Sequence, residues 1–124
     1  MSATYLGLED LLALADDLGV LQVRDLGLLA SAAQRPATSL YGEEVYPALA
    51  DKAAVVLESI VRNDPLIDGN KRLGWLSMVV FLGLNGVDLD VEDDDAYEIV
   101  ISVAEGCRAW QATAAWLREH GVGD

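Results

Sequence analysis

The stretch "RNDPLIDGNKRLGWLSMVVFLGL", Arg62 to Leu84, decides how this chain is read. Its first half crowds Asn63, Asp64, Pro65, Asp68, Gly69 and Asn70 together with Arg62, Lys71 and Arg72. Its second half is apolar on every side, with Leu73, Trp75, Leu76, Met78, Val79, Val80, Phe81 and Leu82. A helix of that kind belongs in the interior, so the pattern predicts a central helix over Asn70–Leu84, about 22 Å long. A helix N-terminus exposes unpaired N–H groups and the positive end of its dipole, and together these attract anions. The polar stretch sits at that end. Gly69 lets the backbone come close to a ligand. Asn70, Lys71 and Arg72 add donors, and Lys and Arg both suit phosphate. Asp68 stands where a Mg²⁺ ligand belongs, because Mg²⁺ takes one or two protein oxygens plus phosphate oxygens. The local design is a polyphosphate site with a metal ligand, without the G-x-x-x-x-G-K-[ST] loop. The same residue types also make ordinary caps and turns, so Asp68–Arg72 alone leaves a plain inter-helix turn open.

Outward from this stretch, helical periodicity dominates. Leu8, Leu11, Leu12, Ala15 and Leu18 share one face, and Gly19 ends the run. Asp25 can cap "LGLLASAAQR", which stops before Pro36. "PATSLYGEEVYP", Pro36 to Pro47, has turn and strand character and reads as a loop or short hairpin. Ala48 to Arg62 forms a helix with Leu49, Ala53, Val56, Leu57, Ile60 and Val61 inward. Asn85-Gly86 ends the central helix, and "VDLDV" alternates as a short extended piece would. Helices follow over roughly Asp93–Glu105 and Arg108–His120. The expected fold class is mainly α, a helical bundle around a central apolar helix with a flap near 36–47. No repeat or linker divides the 124 residues, so a single domain over 1–124 is expected.

Just over half of the residues are apolar, a globular composition. The net charge of -13, from 21 acidic and 8 basic residues, argues against sequence-independent binding to nucleic acid or an anionic membrane. No apolar run reaches the roughly 20 residues of a membrane span. The N-terminal run carries Glu9 and Asp10 and lacks the cationic start of a signal peptide. The lone Cys107 builds neither a disulfide framework nor a Cys-based zinc site. A cytoplasmic protein is expected. "DLDVEDDD", Asp88 to Asp95, fails the calcium-loop pattern: Asp93 stands where Gly is needed and Ile99 where Glu is needed. These acids instead complement the dipole of the helix they lead into. Trp110 and Trp116 are set on different sides of their helix and read as packing residues.

"DPLIDGNKR", Asp64 to Arg72, resembles the signature of the Fic/Doc family, H-x-F-x-[DE]-[AG]-N-[GK]-R. Leu66 takes the Phe position, Asp68 the acidic one and Gly69 the small one, followed by Asn70, Lys71 and Arg72. Lys71 in place of glycine resembles the Doc (death-on-curing) branch. "RDLGLLASAAQRP", "YPALADKAAVVLESIVRN" and "LNGVDLDV" are similar to the elements around the signature in that branch. The resemblance runs from about Leu6 to about Glu105. It implies a small helical protein that moves part of a nucleoside triphosphate onto a target hydroxyl. Fic enzymes usually transfer the nucleotide monophosphate, Doc-type members the terminal phosphate, with elongation factor Tu as the family's target. It further implies ATP and Mg²⁺ as cofactors, with Asp68 on the metal and Gly69, Asn70, Lys71 and Arg72 on the phosphates. Asp68 and Arg72 then belong to the catalytic set. The partners implied are an antitoxin whose segment folds as a helix on this toxin, and a target that docks on the flap.

At the position of the signature His, the family's general base, stands Asp64. The chain's one histidine, His120, falls in the last turn of the last helix and reads as a solvated end residue. A carboxylate, with a reference pKa of about 4, is a poor base for a hydroxyl beside an imidazole near about 6.5. It also brings negative charge close to a triphosphate. The resemblance therefore implies an active parent with His at this position and a copy disarmed by one base change. The alternatives are a degenerate member kept as a partner-binding module, and a Fic-like AMP transferase.

Overall fold

The computed structural model describes residues 2–123. Helix α3 (Leu49–Asn63) is the hub, and α2 (Leu26–Gln34), α4 (Asn70–Leu84), α5 (Asp93–Ala104) and α6 (Trp110–Glu119) all pack on it. Helix α1 (Leu8–Asp17) closes over α2 and α4. Small side chains make α3 approachable: Ala50, Ala53 and Ala54 are wholly buried beside Val55, Leu57 and Ile60. At the α3–α4 contact, a Cβ on Gly74 would lie 2.6 Å from Val61 Cγ1, so glycine sets how closely the two helices approach. Leu57, Leu73, Met78, Phe81, Ile99 and Leu117 fill the core, each burial contributing about 2 kcal/mol.

Both long helices run through the body. Helix α4 spans the residues its pattern predicts, with Leu73, Met78, Phe81 and Leu82 buried. Its other apolar face, Trp75, Leu76, Val79 and Val80, is half-buried, and Trp75 and Leu76 form the wall of a cleft. Burial of α3 is the more complete, and it includes Lys52. Asn85 ends α4 by donating to the Phe81 carbonyl at 2.8 Å. The same amide exchanges two hydrogen bonds with the backbone of Thr4, tying the N-terminal segment to the end of α4.

Asp25 caps α2 as its sequence suggests, accepting from the Leu28 N–H at 3.0 Å. A 3₁₀ turn at Arg35–Ala37 then takes up Pro36 and leads into the hairpin of β1 (Ser39–Leu40) and β2 (Glu43–Glu44). Tyr41 and Gly42 at its tip both have positive φ, the turn that matches strand twist in a two-residue hairpin. The base of the hairpin is anchored from inside: buried Lys52 donates to Glu44 Oε1 at 2.9 Å and to the Tyr46 carbonyl. Asp93, Asp94 and Asp95 occupy the first turn of α5, where they complement its dipole. Residues 87–91 show the expected in–out alternation of side chains but have no strand partner among the described residues.

Candidate functional site

Helix α3 stops because Asp64 turns left-handed, with φ 48° and ψ 58°, and Pro65 follows. Asp, Asn and His are the side-chain-bearing residues that tolerate this conformation best. The next residues lie along the segment that joins α1 to α2. The Pro65 carbonyl accepts from the N–H groups of Arg24 and Asp25 at 2.8 and 3.0 Å, and Ile67 N–H donates to Gln22 O at 2.8 Å. Leu66, on the family's Phe position, is buried and bridges antiparallel to Val23. It serves as the apolar pin of the loop.

The loop then turns into α4. Gly69 is the N-cap, with φ 84°, and Val20 lies so close beneath it that a Cβ would come within 2.7 Å of the Val20 Cβ. Glycine is therefore required twice, by backbone conformation and by space. Having no side chain, it leaves the first N–H groups of α4 without a side-chain cap. Asp68 is exposed; its Oδ1 accepts from Gly69 N–H at 2.8 Å, and Oδ2 has no partner among the described residues. Asn70 bends back on the loop: its Oδ1 accepts from Leu66 N–H at 2.9 Å, and its Nδ2 donates to Leu66 O at 3.0 Å. That amide clamps the loop, leaving only its second hydrogen and a lone pair for a ligand.

Asp64, Asp68, Gly69, Asn70, Lys71 and Arg72 all line one cleft of about 940 Å³, within the size range of small-molecule sites. Leu18, Arg24, Trp75, Asp93, Tyr97 and Val100 complete its walls. Arg24, Lys71 and Arg72 form no ion pair among the described residues, although Asp64, Asp68 and Asp93 share the cleft. The cleft thus combines three cations that have no carboxylate partner among the described residues with an uncapped helix N-terminus, an arrangement suited to a polyphosphate. Among the described residues no group of three or more His, Cys, Asp or Glu is placed to hold a metal by itself. A cation beside Asp68 would need oxygens from its anionic ligand, as Mg²⁺ commonly uses.

His120 is not among the cleft residues; it caps α6, where its Nδ1 lies 2.8 Å from the Trp116 carbonyl. Arg24 carries no signal in the sequence for its place in the cleft. Its Nε donates to the Asp64 carbonyl at 2.7 Å and its Nη2 to the Asn63 carbonyl at 2.8 Å. Those partners lie 40 and 39 residues away, so no local signal points to them. Asp93, Tyr97 and Val100 of α5 were also missed, because no local pattern in their sequence ties α5 to the cleft.

A helical body carries an uncapped helix N-terminus in a cation-lined cleft, a combination that favours an anionic ligand. Residues 5–82 match the Fic/DOC family. The chain is also 45% identical over 104 residues to a protein named Toxin Doc from Mycolicibacterium smegmatis, covering 81% of this chain and 80% of that protein. The chain belongs to the Fic/Doc family, and its likeness to Toxin Doc runs through most of its length.

Proposed function

We propose that the chain derives from the toxin of a toxin–antitoxin pair, a Doc-type enzyme that moves the terminal phosphate of ATP to a hydroxyl of a target protein. Asp64 makes this copy its disarmed form. The observation that carries the reading is the convergence of Asp68, Gly69, Lys71 and Arg72 with position 64 in a single cleft. The likeness to a protein named Toxin Doc supports the toxin role and implies an antitoxin partner. Elongation factor Tu is the target we propose.

In this reading Lys71, Arg72 and the first N–H groups of α4 hold the polyphosphate. Asn70 keeps the loop in shape through Leu66 and has donor capacity left for a phosphate oxygen. Asp68 fits Mg²⁺ through its unengaged Oδ2, and the bound ion would neutralise phosphate charge. The base belongs at position 64. There an imidazole takes the proton of the target hydroxyl, whose oxygen bonds to the γ-phosphorus as the bond to the β–γ bridging oxygen breaks and ADP departs. The carboxylate of Asp64 is ill-suited to that step and repels the incoming phosphates.

Growth tests this reading. Expression of D64H should arrest growth, co-expression of the cognate antitoxin should relieve the arrest, and the unsubstituted chain should be tolerated. Tolerance of D64H together with no nucleotide binding would favour a partner-binding module instead.

A further inference from the structure

We infer that a second depression, beside the C-terminal end of α3, is a separate pocket for phosphate, either free or as a phosphomonoester. Arg35, Arg62 and Arg108 line a cavity of about 270 Å³ together with Glu58, Ser59 and Asn63. These are three of the chain's eight basic residues, gathered in a protein whose net charge is -13. Only Arg35 is neutralised, by Glu58 at 3.0 Å. Arg62 and Arg108 have no carboxylate partner among the described residues. Each is oriented instead by one neutral acceptor: Arg62 by the Val103 carbonyl at 3.4 Å, and Arg108 by Ser102 Oγ at 3.1 Å. The remaining guanidinium donors are left over.

The interior of the pocket is polar as well. Ser59 is 3% exposed, and its hydroxyl accepts from Arg35 Nη1 at 3.0 Å, leaving its own proton to donate. A neighbouring lobe of about 430 Å³ shares Arg35, Ser59 and Asn63 and adds the donors Ser31 and Gln34; Thr38 also lines it, with its hydroxyl donating to the Arg35 carbonyl at 2.6 Å. With Glu58 the only carboxylate lining either lobe among the described residues, their local charge is about +2, and a phosphate dianion matches it. A tetrahedral anion can meet three guanidinium groups at once, whereas a flat carboxylate engages one fork. Neither lobe shares a lining residue with the nucleotide cleft, so this pocket does not depend on the function proposed above.

The test titrates the ¹⁵N-labelled protein with inorganic phosphate and, separately, with phosphoserine at constant ionic strength, following the Nε–H signals of Arg62 and Arg108. Saturable shifts are expected, persisting in K71A, and the affinity should fall about tenfold or more in both R62Q and R108Q. R108Q leaves the Arg62 contact with α5 in place, so a folding defect in R62Q alone does not decide the outcome. Tighter saturation by phosphoserine assigns the pocket to a phosphomonoester, and equal saturation to free phosphate. Shifts that fail to saturate, or that keep the same midpoint in R62Q and R108Q, would overturn the inference.

Discussion

Arg24 grips Asp64 by its backbone: the guanidinium donates to the carbonyls of Asn63 and Asp64 and leaves the carboxylate alone. The two carbonyls belong to the last turn of α3 and to its left-handed C-cap, groups that otherwise lack a partner. The conformation of position 64 is therefore fixed independently of its side chain. An imidazole there would inherit the same backbone, since His tolerates left-handed φ much as Asp does.

Replacing Arg24 separates that grip from its charge. R24A should lower stability by about 1 kcal/mol in urea unfolding, the worth of an exposed charge-assisted pair. R24K keeps the charge but cannot span both carbonyls and should recover only part of the loss. In a D64H background both variants should lower phosphate transfer.

Gly69 is the least replaceable residue of the loop. G69A meets both a positive φ and the Val20 side chain at 2.6 Å, so a loss of about 2–3 kcal/mol is expected by calorimetry. Adding V20A should relieve little, because the Val20 Cβ itself lies 2.7 Å from the added atom.

The clamp of Asn70 on Leu66 predicts a structural penalty. N70A leaves the N–H and carbonyl of a buried residue without partners and should cost about 2 kcal/mol. N70D keeps the acceptor and loses the donor, so it should fall between the two. If N70A weakened nucleotide binding at unchanged stability, the clamp would not be its main role.

Acid should loosen the hairpin. The Glu44 carboxyl accepts from the Lys52 ammonium, with a smaller contribution from Tyr5, and is held below its usual pKa of 4.5. Because its folded value is depressed, its contribution to stability is present above about pH 4.5 and lost as pH falls through the lower folded value. Hydrogen exchange across residues 38–46 should therefore accelerate below that pH, and E44Q should show the loosened hairpin at neutral pH with the acid dependence removed.

Much of the fold was legible because helices announce themselves by period and by their stops. Gly19, Pro36 and Asn85-Gly86 mark ends that the structure keeps, and α4 spans Asn70–Leu84, the polar first turn and the apolar run together, as its pattern predicts. Long-range partners were not legible. Lys52 looks like a surface residue in the sequence, yet it is 3% exposed because the Glu44 side chain and the Tyr46 carbonyl fold over it. Asn70 looks like a ligand donor, and the structure commits most of its amide to the loop. The cleft residues Asp64 to Arg72 were legible as a contiguous string, whereas Arg24 and the α5 wall enter only through tertiary packing.

A Doc-type phosphate transferase disarmed at position 64 should regain label transfer from ATP to elongation factor Tu in purified D64H. Label is expected on the target from γ-labelled ATP and none from α-labelled ATP, at about 100-fold or more above the unsubstituted chain, the usual reach of a positioned general base. Label from α-labelled ATP, or none from either nucleotide, would contradict this reading.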